Sequence, residues 1–228
     1  MPRRSKPSVD FHQPRFKQIS ESHCGPAVIQ MLLSNEGIEV TQEDIAEAGG
    51  ASRLIKLNGM RVDQLALAVS RLAPQVMFYY KDHTPLVDLI QVVNHYCYPV
   101  GVEWQGLFED EDKAYGEPQA GDAVEQGLLP DSESDDEDYG HYSVVVHADR
   151  RKKQLLIADP YKYYFNQARI FRFGEFEARW YDYNEVPDPL TGQPALVEDY
   201  HMMFLVARRT ILFPRRLGMH SFTSLIGN

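Results

Sequence analysis

Four polar residues stand in a chain order that favours acyl transfer at a thiol. Cys24 is the candidate nucleophile, and His141 is the candidate general base and acid. Asp159 would hold the imidazole in the required tautomer. The side-chain amide of Gln18 would donate to the oxyanion beside the Cys24 backbone N–H. The elements around these residues decide whether folding brings them together.

Cys24 opens a segment with the apolar periodicity of a buried helix. The apolar residues recur at i, i+1, i+4 and i+5, as Ala27, Val28, Met31 and Leu32. Pro26 fits the first turn, where its missing N–H removes no helical hydrogen bond, and residues 35–37 supply a stop. The unpaired N–H groups and the positive end of the helix dipole lie at this terminus. We therefore expect them to favour a thiolate at Cys24.

The segments that carry His141 and Asp159 predict an antiparallel hairpin. Residues 140–147 are β-branched and begin with a glycine, which indicates a strand that starts at His141. A second short strand at 155–158 ends at Asp159, and the residues between the two strands form a polar turn. In such a hairpin the start of the first strand lies beside the end of the second. The imidazole and the carboxylate are therefore expected to be neighbours.

Together these motifs resemble the bacteriocin-processing family of papain-like cysteine peptidases. The resemblance rests on Gln18 and on residues 22–27, 140–142 and 158–160. It extends to residues 173–180, which are similar to the family's short helix ending in Trp. Members of that family cut leader peptides after paired glycines, often as the N-terminal domain of an export transporter.

The resemblance covers roughly residues 16 to 207 and implies an α+β fold of two lobes. A helical lobe at about 16–98 would pack on an antiparallel sheet lobe at about 99–207, with the substrate cleft between them. It implies a peptide or protein substrate and assigns the same four roles to Cys24, His141, Asp159 and Gln18. No transporter segment is found in this chain, so a stand-alone member is expected.

Each site residue also has a plain structural explanation. A cysteine at the start of an apolar helix is often only a small buried hydrophobe. His141 could cap a strand, Asp159 before a proline is a common turn opener, and Gln18 could be a surface amide. Cys97, between a predicted helix and a strand, is expected to be a packed structural thiol. His23 is a weaker candidate base, because adjacent residues at a helix start rarely face each other.

Three functions therefore remain open. The first is a peptidase that forms a Cys24 acyl-enzyme, on a leader peptide with small residues such as glycine before the scissile bond. The second is an acyltransferase that acts on γ-glutamyl peptides through the same intermediate, as in the phytochelatin-synthase-like relatives of papain. The third is an inactive, peptidase-like binding module.

The composition fits one globular unit without a cofactor. The chain has 228 residues, of which 43% are hydrophobic, which is enough for a single core. It has neither a phosphate loop nor paired-cysteine zinc spacing, so no cofactor or metal is expected. The apolar runs are too short to span a bilayer, and no signal-peptide segment is present. Two cysteines, one needed as a free thiol, favour a reducing compartment, so a cytoplasmic protein is expected.

Charge is concentrated in one segment. Residues 107–139 contain thirteen acidic residues and one lysine, a net charge of −12 against −10 for the whole chain. We expect this segment to be a solvated acidic insertion and residues 182–199, which are rich in proline, to be a second insertion. Residues 1–15 form a basic tail, and residues 208–228 form an Arg-rich tail. The acidic segment and the Arg-rich tail are candidate surfaces for a partner protein, whereas a pI near 5.2 disfavours nucleic acid.

The remaining elements complete the two-lobe plan. Thr41 is a predicted N-cap for a short helix that runs to residues 49–50, and further helices are predicted from Val62 and from Pro85. Residues 76–80 predict a strand within the helical half. Two more strands are predicted in the sheet half, at residues 100–104 and 202–206.

Overall fold

The computed structural model describes residues 13–106, 140–187 and 191–222. The predicted acidic insertion at 107–139 lies outside the described residues, as do most of the predicted N-terminal tail and the last six residues. Within the described ranges, no helix has the length and apolar character needed to cross a membrane.

Helices flank a central sheet. The helices are α1 (Cys24–Asn35), α2 (Gln42–Ala48), α3 (Ile55–Asn58), α4 (Val62–Leu72), α5 (Leu86–Gln91) with a π-helical extension (Val92–Tyr96), α6 (Phe173–Glu177) and α7 (Phe213–Arg216). The strands are β1 (Val76–Lys81), β2 (Val100–Gln105), β3 (Gly140–Asp149), β4 (Gln154–Ala158), β5 (Ala168–Arg172), β6 (Tyr181–Pro187), β7 (Pro194–Tyr200), β8 (Met203–Arg208) and β9 (His220–Ser221).

Seven strands form one antiparallel sheet in the order β5-β4-β3-β2-β8-β1-β9. The predicted hairpin of β3 and β4 is confirmed, with a bulge in β3 between Val145 and His147. His141 pairs with Trp104 of β2 near the start of β3. The predicted α+β fold of helices with an antiparallel sheet is therefore confirmed.

Both faces of the sheet are covered. Helices α1, α2 and α4 pack on one face, and α5, its π-helical extension, α6 and α7 pack on the other. Strand β8 shows the division, because Phe204 and Val206 join the first core while Met203 and Leu205 join the second. Strands that are buried on both faces carry nearly continuous apolar runs, as β8 does.

Helix starts follow local sequence signals. Thr41 caps α2, since its hydroxyl accepts from the Asp44 N–H at 3.1 Å while the Asp44 carboxylate accepts from the Thr41 N–H at 3.0 Å. The predicted helix at Cys24 begins and ends as the periodicity indicates, at Cys24 and Asn35. These helices place the candidate nucleophile at the edge of the first core.

Three segments differ from the simple two-lobe plan. Strand β1 lies in the N-terminal half of the chain but pairs with β8 inside the main sheet. The predicted second insertion forms a separate antiparallel ladder of β6 and β7. The described part of the Arg-rich tail docks on the body, because Phe213 stacks on Tyr96 with ring centroids 4.2 Å apart and β9 pairs with β1.

The prediction for Cys97 was wrong. This residue is exposed rather than packed, and it takes a left-handed conformation with φ of 60° as the C-cap of the π-helical extension. The chain reverses there to enter β2, and this turn directs the side chain towards solvent. Cys97 is therefore a useful exposed thiol for comparison with the buried Cys24.

The close approach of β2 and β8 requires glycine at position 101. A Cβ at Gly101 would lie 2.2 Å from Cε2 of Phe204, whose ring stacks on Phe78 at 5.3 Å. We predict that Gly101→Ala lowers the free energy of unfolding by roughly 1–3 kcal/mol, because the ring has no room to move aside. Urea unfolding followed by circular dichroism measures the change.

Gly174→Ala is the matched control, since a Cβ at this position would have no heavy atom within 4 Å. It should leave the stability unchanged or raise it slightly, because alanine favours the helix. Equal effects of the two substitutions would contradict the assigned packing at Gly101.

Candidate active site

Cys24 lies buried at the first position of α1. Glycine follows it for a steric reason, since a Cβ at Gly25 would lie 3.3 Å from side-chain atoms of both Leu65 and Tyr142. The helix start can therefore approach β3, where Tyr142 is adjacent to His141. The first N–H groups of α1 have no acceptor within the helix, which provides a positive partial charge beside the sulfur.

His141 joins the thiol to a carboxylate. Its Nε2 lies 2.8 Å from Oδ1 of Asp159, so the two side chains are neighbours, as the hairpin predicts. The Cys24 side chain lies close enough to this ring to help raise its pKa. Since Nε2 is bonded to Asp159, the nitrogen left for the sulfur is Nδ1. His141 is 3% exposed and Asp159 is 1% exposed, so water hardly competes for these bonds.

Arg169 is a further member of this group that sequence reasoning missed. Its Nη1 donates to Oδ2 of Asp159 at 2.6 Å, and the backbone N–H of Tyr161 donates to Oδ1 at 2.9 Å. The guanidinium also stacks on the ring of Tyr164 at 3.9 Å. The pairing of β4 with β5 is the feature that would have identified Arg169. It sets Arg169 opposite Ile157, and Ile157 lies two positions before Asp159 in the sequence.

The charges of this group shift the pKa values in opposite directions. Burial lowers the pKa of His141, but the Asp159 carboxylate and Cys24 outweigh it and raise the pKa to about 10. Burial raises the pKa of Asp159, but His141, Arg169 and the Tyr161 N–H outweigh it and lower the pKa. The arrangement therefore stabilises an imidazolium at His141, beside the ionised carboxylate of Asp159.

Gln18 lies near the end of β4, but its amide is already bonded. Its Nε2 donates to the carbonyl oxygens of Ser20 at 2.9 Å and Glu21 at 3.1 Å, so both amide protons are used in this conformation. Its Oε1 is buried and has no hydrogen-bond partner among the described residues. The role of Gln18 as oxyanion donor stays a prediction, and it requires the release of one of these two bonds.

The segment before Cys24 is tied to the segment after Asp159. The backbone N–H of Gln18 donates to the carbonyl of Pro160 at 2.9 Å. Gln42 of α2 holds the neighbouring residues, because its Nε2 donates to Lys17 O at 2.8 Å and its Oε1 accepts from Ile19 N at 3.1 Å. These bonds fix the nucleophile's segment relative to the hairpin that carries the imidazole.

His23, the weaker candidate for the base, interacts with Ser20 instead. Its Nδ1 lies 2.6 Å from Oγ of Ser20. Burial lowers the pKa of His23, and the nearby Glu43 carboxylate opposes that effect. The described geometry therefore favours His141 over His23 as the partner of Cys24.

The sequence profile of the Peptidase C39-like family matches residues 12–187, more than half of the chain. The chain belongs to the Peptidase C39-like family. The matched range contains Cys24, His141 and Asp159. No curated protein matches the chain.

Two solved structures share the fold of this C39-like chain. One is the peptidase domain of Streptococcus ComA, a bi-functional ABC transporter involved in a quorum-sensing pathway. It has 15% identity and a TM-score of 0.51, over 87% of this chain and 100% of that one. The other is a double glycine motif protease from an AMS/PCAT transporter in complex with the leader peptide. It has 15% identity and a TM-score of 0.50, over 86% and 91%. The likeness shows the predicted papain-like fold.

The His141 pKa predicts how the stability of this C39-like chain depends on pH. Because the pKa of His141 is higher in the folded than in the unfolded state, protonation of this ring stabilises the fold. The full contribution is present below the unfolded histidine pKa of about 6.5, and it is lost as the pH rises through about 10. The wild-type free energy of unfolding should fall by roughly 2 kcal/mol or more between about pH 7 and 10. Denaturant unfolding at a series of pH values measures it.

Asp159→Asn is the informative variant, because it removes the main cause that raises the His141 pKa. Its free energy of unfolding should be lower at pH 7 and should change less between pH 7 and 10. Parallel pH profiles for the wild type and the variant would show that the carboxylate does not stabilise an imidazolium.

Proposed function

We propose that this chain is a cysteine peptidase that cleaves peptides through a Cys24 acyl-enzyme, with His141 and Asp159 in the roles that their geometry supports. One observation carries the proposal. The His141 ring, buried at the start of a strand, is hydrogen-bonded to the Asp159 carboxylate and lies close enough to Cys24, at a helix N-terminus, for the sulfur to raise its pKa. Membership of the C39-like family supports a cysteine peptidase-like function.

Acylation would start from the thiolate–imidazolium pair. The Cys24 sulfur attacks the peptide carbonyl carbon, forms an S–C bond and leaves the negative charge on the carbonyl oxygen. His141 then gives its proton to the leaving amine as the C–N bond breaks. Asp159 keeps Nε2 of the ring engaged, so that Nδ1 faces the sulfur and the leaving group.

Deacylation would use the same imidazole, which is now neutral. His141 takes a proton from water as the water oxygen attacks the thioester carbonyl. The C–S bond breaks, the acid product leaves, and the proton on His141 restores the pair with the Cys24 thiolate. No step requires a metal ion or an organic cofactor, because the nucleophile and the proton carrier are both side chains.

The backbone N–H of Cys24 is the first proposed oxyanion donor. It lies at the helix start, where N–H groups have no helical acceptor. Gln18 is the second proposed donor and would act after one of its bonds to the 20–21 carbonyls is released.

The proposed substrate is a leader-like peptide with small residues such as glycine before the scissile bond. One structural relative is described as a double glycine motif protease in complex with a leader peptide. The shared fold and family support a substrate of the same class here.

We predict that the wild-type protein cleaves members of a peptide library with small residues before the cut, and that Cys24→Ala loses this activity. The loss should be on the order of a thousandfold or more, since no other group replaces the nucleophile. Mass spectrometry of the products and of the trapped acyl-enzyme measures it. Cys97→Ala is the matched control and should cleave as the wild type does.

Other outcomes would reassign the site. Transfer of a γ-glutamyl group from Cys24 to an amine, without peptide hydrolysis, would identify an acyltransferase. Peptide affinity that survives Cys24→Ser, with no cleavage by the folded wild type, would identify a binding module. Equal cleavage by the wild type and Cys24→Ala would contradict the proposed nucleophile.

A further inference from the structure

The guanidinium of Arg169 lies inside the molecule, against the carboxylate of the proposed site. The Arg169 side chain is 10% exposed and the Asp159 side chain is 0% exposed, with Nη1 of Arg169 2.6 Å from Oδ2 of Asp159. A charge in such a place is unfavourable unless it is paired. Arg169 takes no part in the proton transfers proposed for Cys24 and His141, so its presence beside them calls for a separate explanation.

The two oxygens of Asp159 have different partners. Oδ1 accepts from Nε2 of His141 at 2.8 Å and from the Tyr161 N–H at 2.9 Å. Oδ2 accepts from Arg169, which is its only donor among the described residues. A carboxylate is planar, so a donor on each oxygen fixes its rotation about the Cβ–Cγ bond. The bond to Arg169 therefore holds Oδ1 in the direction of the imidazole.

Aromatic rings hold the guanidinium in place. Its Cζ lies 3.9 Å from the centroid of the Tyr164 ring and 4.9 Å from that of Phe171, and both rings are buried. Phe171 packs edge-on against Trp104, the cross-strand partner of His141, with ring centroids 5.1 Å apart. A planar guanidinium stacked on rings is already ordered before it bonds a carboxylate. Arg169 is thus positioned by the same packing that surrounds the strand of His141.

The charge of Arg169 acts on the proton in the His141–Asp159 hydrogen bond, which lies either on the ring or on the carboxylate. Burial raises the pKa of Asp159, whereas the charges of His141 and Arg169 lower it. Burial lowers the pKa of His141, whereas Asp159 and Cys24 raise it. Burial alone thus favours an uncharged ring and a protonated carboxyl. Arg169 opposes this, because a cation beside Asp159 favours the ionised carboxylate.

We propose that Arg169 is a positioning residue of the site, which holds the Asp159 carboxylate in one rotation and keeps the shared proton on the His141 ring. This inference rests on the proposed peptidase function. It adds to that function the residue that keeps an imidazolium available to stabilise the Cys24 thiolate and to protonate the leaving amine. Arg169 acts through Asp159 and not on the substrate.

A purely structural role for Arg169 predicts a different outcome. Buried ion pairs often contribute little net stability. Methionine covers the aliphatic part of an arginine and packs well on aromatic rings such as Tyr164 and Phe171. If Arg169 only fills this space, Arg169→Met should leave the charge of His141 unchanged. If Arg169 holds the proton on the ring, the same substitution moves the proton to Asp159.

The 15N chemical shifts of the His141 ring locate this proton without any substrate, and comparison with His141→Ala assigns them. At about pH 8 we expect a charged ring in the wild type, since its pKa is about 10. In Arg169→Met the charged fraction of the ring should fall several-fold. Arg169→Lys keeps the positive charge but loses the planar fork, so the ring should stay charged in this variant.

Labelling of Cys24 by iodoacetamide measures the effect on the nucleophile. At about pH 6 the rate should be roughly fivefold lower in Arg169→Met and should recover most of this loss in Arg169→Lys, because the thiolate depends on the imidazolium. Arg172→Met is the matched control, since Arg172 is an exposed residue of the same strand and loses the same unit of charge. It should label as the wild type does. Thermal unfolding identifies a variant that fails to fold, and Arg169→Gln then replaces Arg169→Met with the same expected result.

The positioning role and the peptidase proposal fail in different ways. A ring that stays charged and a labelling rate that stays unchanged in folded Arg169→Met would overturn the positioning role alone. Equal losses of rate in Arg169→Met and Arg169→Lys would overturn it as well, since a role of the charge requires recovery with lysine. Slow labelling of Cys24 in the wild type would contradict the proposed nucleophile, and the His141 ring shifts would still decide on Arg169.

Discussion

The site depends on the paired charges of His141, Asp159 and Arg169, which form a chain of contacts beside Cys24. Removing such groups from water is costly, and the cost is offset only where each charge meets a well-placed partner. The Asp159 carboxylate has three partners, since the Tyr161 N–H completes its shell. Its charge is thereby fixed, and this fixed charge holds the imidazole of His141 in its protonated, oriented state.

The sheet supplies the spacing that this chain of groups needs. Strands β3, β4 and β5 are adjacent in the sheet, so His141 near the start of β3, Asp159 directly after β4 and Arg169 in β5 come together at one edge of these strands. The helix that carries the sulfur reaches them because Gly25 has no side chain to keep it away from Tyr142. The bond from Gln18 N to Pro160 O then ties both parts together.

Local patterns predicted the elements of the site, whereas long-range contacts decided its details. The α1 helix and the β3–β4 hairpin follow from periodicity and turn residues, which act within a few positions. Arg169 was not predicted, because its role comes from strand pairing. The β6–β7 ladder was hidden by Pro187 and Pro194, which stand opposite each other at the end of that ladder. Cys97 was wrongly predicted to be packed. Its position between a helix and a strand did not reveal the left-handed backbone conformation of this residue, whose side chain is exposed.

The most direct test of the central claim is the pH dependence of iodoacetamide alkylation at Cys24 and Cys97, in the wild type and in His141→Ala. A thiolate held by an imidazolium reacts at a pH where an ordinary thiol is protonated. We predict fast labelling of Cys24 at about pH 6, slowed roughly tenfold or more by His141→Ala, with Cys97 unchanged and reacting only near its ordinary range. A Cys24 profile that follows that of Cys97 and ignores His141→Ala would contradict the account.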